Sequence, residues 1–165
     1  MLFRSKVYGL AGLRIGYGIG PADLLNEMNK LRGPFNTSGV AQAAALAALE
    51  DAEHVRRSVE SNRAGLVQLS AGLKSLAIQF VPSFANFLLV EFTGDAEPIS
   101  EELLTRGVIV RPMRWMGLPT AIRVSVGTPE ENKKFLDSLA AVRDTTPRES
   151  RPSIRQFLEG DSRDI

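Results

Sequence analysis

Lys6 is the residue in this chain with the most chemistry gathered around it. Ser5 precedes it, and Arg14 follows eight positions later, across the segment Val7-Tyr8-Gly9-Leu10-Ala11-Gly12-Leu13. A lysine amine can add to a carbonyl carbon to give a Schiff base, and its pKa falls readily when it is desolvated or set beside other cations. The guanidinium of Arg14 is a planar, permanently charged fork suited to a phosphate, with the Ser5 hydroxyl as a neutral co-ligand. Gly9, Gly12, Gly16 and Gly18 let backbone pass close to a bulky ligand or a neighbouring element. The bland alternative makes Lys6 one solvated amine among twenty basic residues, which is where lysines mostly stand.

Two further arginines sit where chemistry could use them. Arg123 lies in Ala121-Ile122-Arg123-Val124-Ser125-Val126, whose alternation puts Ile122, Val124 and Val126 on one face and Arg123 and Ser125 on the other. Arg111 ends the apolar run Val108-Ile109-Val110 and precedes Pro112. A guanidinium fork grips a carboxylate through two parallel bonds. Either arginine could equally be a solvated strand residue or a surface anchor. Asn86 either orients a ligand or satisfies local backbone. His54, the sole histidine, falls on the polar side of a helical pattern and reads as solvated.

The elements that must position these groups follow from periodicity and punctuation. Ile15 to Gly20 alternates large residues with glycine, as a closely packed strand does, and stops at Pro21. Leu24, Leu25, Met28 and Leu31 form one helical stripe closed by Gly33-Pro34, and a second, alanine-rich helix starts near Thr37 or Ser38. Val55, Val59, Leu66, Leu69, Leu73 and Leu76 recur in steps of four and three, with Asn62 at the one missing place. That is a long amphipathic helix, and Asn62, Gly65 and Gly72 argue for globular packing over a coiled coil.

Strand-like runs come next, at Ile78–Val81 and Phe87–Phe92. A short helix around Glu101–Leu104 is closed by Gly107, and Val108–Val110 then reads as a strand. Thr128-Pro129-Glu130-Glu131 is a capping box with proline at the first helical position. Phe135, Leu139 and Val142 supply the stripe of the last helix. From Asp144 the composition turns to Thr, Pro, Ser, Arg, Glu and Asp, a tail with little to bury. The expected division is 1–51 for one α/β portion, 52–77 for the connecting helix, 78–143 for a small α+β domain and 144–165 for the tail.

Composition narrows the partners. A formal net charge of +1 gives no hint of a nucleic-acid or membrane-surface partner. With no cysteine, disulfides and thiolate metal sites are excluded. No apolar run is long enough to span a bilayer, and the amino end lacks a signal-peptide core, so a cytoplasmic protein is expected.

Four words in order, Ser5-Lys6 through Gly16, Phe84-Ala85-Asn86-Phe87, Gly107 to Arg111, and Ile122 to Thr128, carry a resemblance over about residues 5 to 142. The chain resembles the fold-type I, aspartate-aminotransferase-like pyridoxal-phosphate enzymes, and the histidinol-phosphate aminotransferase branch in particular. The resemblance implies an α/β fold in which Lys6 carries the cofactor and moves the proton at the substrate Cα. Arg14 and Ser5 would hold the cofactor phosphate. Arg123 would bind the substrate α-carboxylate, and Arg111 would lie nearer the distal end.

The same resemblance implies pyridoxal 5'-phosphate as cofactor, a small-molecule amino donor and acceptor, and a homodimer. Phe3 stands where the family usually has a small hydroxyl residue. In that family the acid paired with the pyridine nitrogen, the aromatic stacked on the ring and a glycine-rich helix start all precede the lysine. The expectation is therefore a carboxyl-terminal part, completed by an amino-terminal half or else a non-catalytic interaction module. Aromatic aminotransferases and threonine-phosphate decarboxylases are the related alternatives.

Overall fold

The computed structural model describes residues 2–4 and 6–143. Ser5 and the tail expected over 144–165 lie outside the described residues. The chain divides into two compact units, residues 1–60 and 61–165, so the boundary falls inside the long helix.

In the first unit, β1 (Leu2–Arg4) pairs antiparallel with β2 (Tyr17–Ile19), Phe3 standing opposite Gly18. The strand is shorter than the glycine alternation over Ile15–Gly20 suggests. Two 3₁₀ turns, Lys6–Tyr8 and Ala11–Leu13, fill the connection. Helices α1 (Ala22–Lys30) and α2 (Gly39–Glu50) follow, and α2 packs against the Lys6–Tyr8 turn. Ser38 caps α2: its side chain accepts from the Ala41 amide at 3.1 Å, satisfying one of the orphan donors of a helix start. This unit buries little by itself. Ala41 is its one buried residue among those described, whereas Phe35 is fully exposed and Leu31 is 90% exposed.

The long helix is α3 (Ala52–Ser75), close to the expected 52–77. Its apolar steps do different work along its length. Leu69 and Leu73 are completely buried, with Leu66 and Leu76 packed beside them, while Val59 stays exposed.

The second unit is built on a four-stranded antiparallel sheet in the order β3 (Gln79–Val81), β4 (Phe87–Glu91), β6 (Ala121–Ser125), β5 (Arg111–Pro112). Strand alternation then decides the layers. Leu88 and Val90 of β4 and Ile122 and Val124 of β6 form one apolar face. That face packs with α3, with Ile99 and Leu103 of α4 (Glu97–Thr105), and with Phe135, Leu139 and Val142 of α5 (Pro129–Arg143). On the opposite face Met113, Ala121, Leu89 and Leu118 make a smaller cluster.

Two glycines explain how α3 comes so close. A Cβ on Gly65 would overlap the Val126 side chain and press on Asn132, and one on Gly72 would overlap Leu136. Asn132, buried in that contact, donates through Nδ2 to Gln68 Oε1 (3.1 Å) and to the Gly127 carbonyl (3.2 Å). Its Oδ1 accepts from the Gly127 amide at 2.9 Å, so both hydrogens and the oxygen of the buried amide have partners. The capping box is formed: Glu131 N donates to Thr128 Oγ1 (3.2 Å), and Thr128 N to Glu131 Oε2 (2.8 Å).

One expected strand is absent. Val108–Val110 lies outside the ladder, and strand pairing is limited to Arg111 and Pro112. The Val108 amide is spent on the Leu103 carbonyl at 2.9 Å, closing the end of α4. Val108 and Val110 pack on the core cluster and Ile109 is 85% exposed, so alternating burial gives a strand-like pattern without a strand partner. Helix α4 also starts earlier than expected, at Glu97, whose amide donates to Asp95 Oδ1 at 3.1 Å. No helix among the described residues is long and apolar enough to cross a membrane.

Candidate active site

The expected residues fall into two groups, one in each unit. In the first unit Lys6 opens a 3₁₀ turn that the Gly9 amide closes on the Lys6 carbonyl at 3.1 Å. Gly9 has φ of +69°, where a side chain would be strained. Lys6 is exposed. The Ala11–Leu13 turn ends on Arg14, whose own backbone is left-handed at φ of +54°. A bulky residue held there is uncommon and marks a position under constraint. Both the Arg14 backbone amide (3.3 Å) and its Nη1 (2.9 Å) donate to the Ala11 carbonyl. One edge of the guanidinium is thus anchored and the side chain remains exposed. A Cβ on Gly9 or Gly12 would meet nothing within 4 Å, so the turns leave open space around them.

The donor set of this unit suits an aldehyde-bearing phosphate. An amine for the carbonyl carbon and a backbone-anchored guanidinium for the phosphate lie on successive turns, with glycines between them.

The second group sits on the sheet of the second unit. Arg111 of β5 is the register partner of Arg123 of β6, so both side chains leave the same face. Arg123 is half-buried, with its guanidinium 5.2 Å from the centre of the Phe87 ring. Arg111 is exposed and stands 5.9 Å from the centre of Trp115. Stacking on an aromatic face holds a guanidinium without consuming its in-plane donors. Arg114, three residues on, is used differently: it pairs with Asp95 and lies 3.7 Å from Glu97.

The loop before Phe87 is tied down from two sides. Asn62 Nδ2 donates to the Ala85 carbonyl at 3.2 Å, and the Val126 amide donates to the Asn86 carbonyl at 2.9 Å. Asn62 therefore does more than interrupt the apolar stripe of α3. It fixes the segment that presents Phe87 to Arg123.

His54 corrects the sequence reading. It is half-buried, and its Nε2 lies 3.2 Å from the Val7 carbonyl, 47 residues away, and 3.4 Å from Ser58 Oγ. Its backbone amide donates to Asp51 Oδ1 at 2.8 Å, which places it in the capped first turn of α3. Asp51 three residues ahead signalled a helix start. Nothing local signalled the reach to Val7.

Comparison with known proteins gives the family. Residues 4–139 match the family described as aminotransferase class I and II. The chain is 52% identical over 143 residues to histidinol-phosphate aminotransferase 1 of Thiobacillus denitrificans, covering 87% of this chain and 37% of that protein. Across such curated relatives it spans 36–38% of their length. Among solved structures it resembles the Sinorhizobium meliloti histidinol-phosphate aminotransferase in complex with pyridoxal-5'-phosphate, at 27% identity and a TM-score of 0.73, over 85% of this chain and 40% of that one. A Thermus thermophilus aspartate aminotransferase variant matches at 31% identity and a TM-score of 0.69, over 82% of this chain and 40% of that one. The chain belongs to the class I and II aminotransferases and holds part of an aspartate-aminotransferase-like α/β fold.

Proposed function

We propose that this chain supplies the cofactor lysine and the carboxylate-binding arginines for pyridoxal-phosphate-dependent transamination, with histidinol phosphate and the 2-oxoglutarate/glutamate pair as substrates. The observation that carries the reading is the opposed pair Arg111 and Arg123, each stacked on an aromatic ring. Two cations on one sheet face repel unless anionic groups come between them. A dicarboxylic partner, with a carboxylate at each end, meets that need, and histidinol phosphate brings its phosphate ester to the place of the α-carboxylate. The curated relatives named for histidinol phosphate support the same substrate.

Lys6 Nζ would hold the cofactor through its aldehyde carbon, and the same amine would move the proton at the substrate Cα. Arg14, with Ser5 as the residue before Lys6 in sequence, would hold the phosphate. When bound, the cofactor supplies the electron sink that stabilises charge developing at Cα. Arg123 fixes the α-carboxylate of the dicarboxylic partner, or the phosphate in its place on histidinol phosphate, and thereby the direction of the Cα–H bond, and orientation of this kind accounts for a large part of an enzymatic barrier. Arg111 reads the distal group. The setting is cytoplasmic amino-acid synthesis.

A second observation bears on partners. Leu31, Phe35, Val40 and Leu46 of the first unit are each more than 60% exposed, more apolar surface than an isolated soluble unit usually shows. We infer that this surface is covered in the working protein, by a second copy or by the amino-terminal portion that completes the fold. If it never meets such a portion, the chain is an interaction module without catalysis.

The test is a fusion of the chain to the amino-terminal portion of a curated relative, assayed with histidinol phosphate and 2-oxoglutarate. Lys6→Ala should abolish turnover in the active fusion. An equally active Lys6→Ala fusion would remove Lys6 from the reaction.

A further inference from the structure

Lys6 Nζ projects from a turn of three residues, and so short a turn closes its first carbonyl within itself and leaves the later ones to other partners. The Lys6 carbonyl is taken by the Gly9 amide at 3.1 Å. The next one, on Val7, is taken by His54 Nε2 at 3.2 Å. Both peptide oxygens that set the pitch of the turn are therefore engaged, one locally and one from the first turn of α3.

The position of the hydrogen in this contact follows from the partner. A carbonyl oxygen only accepts, so Nε2 must carry the hydrogen of this bond. Ser58 Oγ, one helical turn further along α3 and 3.4 Å from the same nitrogen, limits how the ring can turn. The backbone end of the side chain is also fixed, because the His54 amide donates to Asp51 Oδ1 at 2.8 Å. The residue is thus held through its backbone and its ring, and the hydrogen bond of the ring to Val7 reaches the residue that follows Lys6.

We propose that His54 is a positioning residue for Lys6: its Nε2–H pins the Val7 carbonyl and so fixes the turn from which the reactive amine leaves the chain. The proposal rests on the reading of Lys6 as the cofactor lysine. The imidazole does not touch that cofactor or the reacting atoms; it acts through the peptide of Val7.

The experiment uses the full chain and does not need turnover. Pyridoxal phosphate is added, the adduct is trapped with borohydride, and peptide mass spectrometry compares Lys6 with Lys30, Lys74, Lys133 and Lys134. Wild type should label Lys6 in preference to the other four. His54→Ala removes the donor and should lower that preference about fivefold, the equilibrium worth of one ordinary hydrogen bond. His54→Gln keeps an N–H donor of similar reach and should restore most of it.

A second readout follows the contact itself. Val7-Tyr8 is the one Val-Tyr step in the sequence, so carbonyl-13C valine with 15N tyrosine isolates the Val7 carbonyl by NMR. That resonance should move in His54→Ala and stay near its wild-type position in His54→Gln. Undiminished Lys6 preference in His54→Ala overturns the proposal, as does a His54→Gln chain that falls as far as the alanine variant. Uniform labelling of all five lysines in wild type overturns the reading of Lys6 instead. A Val7 resonance indifferent to both substitutions removes the contact on which the positioning role depends.

Discussion

Arg111 and Arg123 face each other across the β5–β6 ladder, although a loop and a 3₁₀ turn separate them in the chain. Directly opposed residues place their Cβ atoms about 5 Å apart, so the two side chains leave one small region of one sheet face. Like charges so placed cost stability. Stacking on Trp115 and Phe87 offsets part of that cost and aligns the forks. The first prediction tests the proposed meeting of Arg123 with a substrate anion.

In the active fusion, Arg123→Lys keeps the charge and loses the planar fork. We expect kcat/KM for histidinol phosphate to fall at least about tenfold, equivalent to roughly 1.4 kcal/mol of transition-state binding. The cofactor absorbance should stay normal. Arg114→Lys is the control: that arginine is engaged by Asp95 and Glu97, and its substitution should leave kcat/KM within about twofold. Equal effects at the two positions would dissociate Arg123 from the substrate.

The 165-residue polypeptide assayed by itself should be a poor transaminase. It spans 36–38% of the length of its curated relatives. In that family, the acid facing the pyridine nitrogen and the aromatic stacked on the ring come from the other portion. Preorganised surroundings supply much of an enzyme's rate, so turnover should lie far below the ~1–1000 per second of ordinary enzymes. Steady-state assay of the purified polypeptide with histidinol phosphate decides it, and turnover within that range would sink the view that the other portion is needed.

Gly65→Ala reverses a familiar sign. In a helix interior this change usually stabilises by about 1 kcal/mol. Here the new methyl would overlap the Val126 side chain, which is β-branched and stiff, and press on buried Asn132. Overpacking should destabilise the second unit by about 1–3 kcal/mol, read as a lower urea midpoint. Gly72→Ala meets the half-buried Leu136, which can swing aside, and should be milder. A Gly65→Ala chain more stable than wild type would show that α3 does not approach β6 and α5 this closely.

Asn132→Leu keeps the volume and discards three hydrogen bonds. The Gly127 amide and carbonyl and the Gln68 side chain would then lose their partners inside the packed layer. Each unmet buried group costs about 1–3 kcal/mol, and partial relaxation should leave a net loss of about 2–4 kcal/mol in chemical denaturation. Asn132→Asp should not recover the loss, because its second oxygen faces the Gly127 carbonyl with no hydrogen to donate. A leucine variant as stable as wild type would mean that water replaces every one of these bonds.

What the sequence determined by itself was everything with a short period. The four-and-three steps of Leu66, Leu69, Leu73 and Leu76 specified α3, and the alternation over Ala121–Val126 specified β6 and the face bearing Arg123. Thr128 and Glu131 specified the start of α5, because a capping box closes within one turn. These features need only neighbouring residues.

Tertiary structure decided the rest. Val108–Val110 has the alternation of a strand but no ladder, since the Val108 amide is drawn to the end of α4. The opposition of Arg111 and Arg123 depends on register, which the burial of whole strands sets and no residue near either arginine encodes. His54 reads as a polar-face residue because its helix is periodic. Its carbonyl partner lies 47 residues back, and only the folded first unit brings that oxygen within reach of the ring.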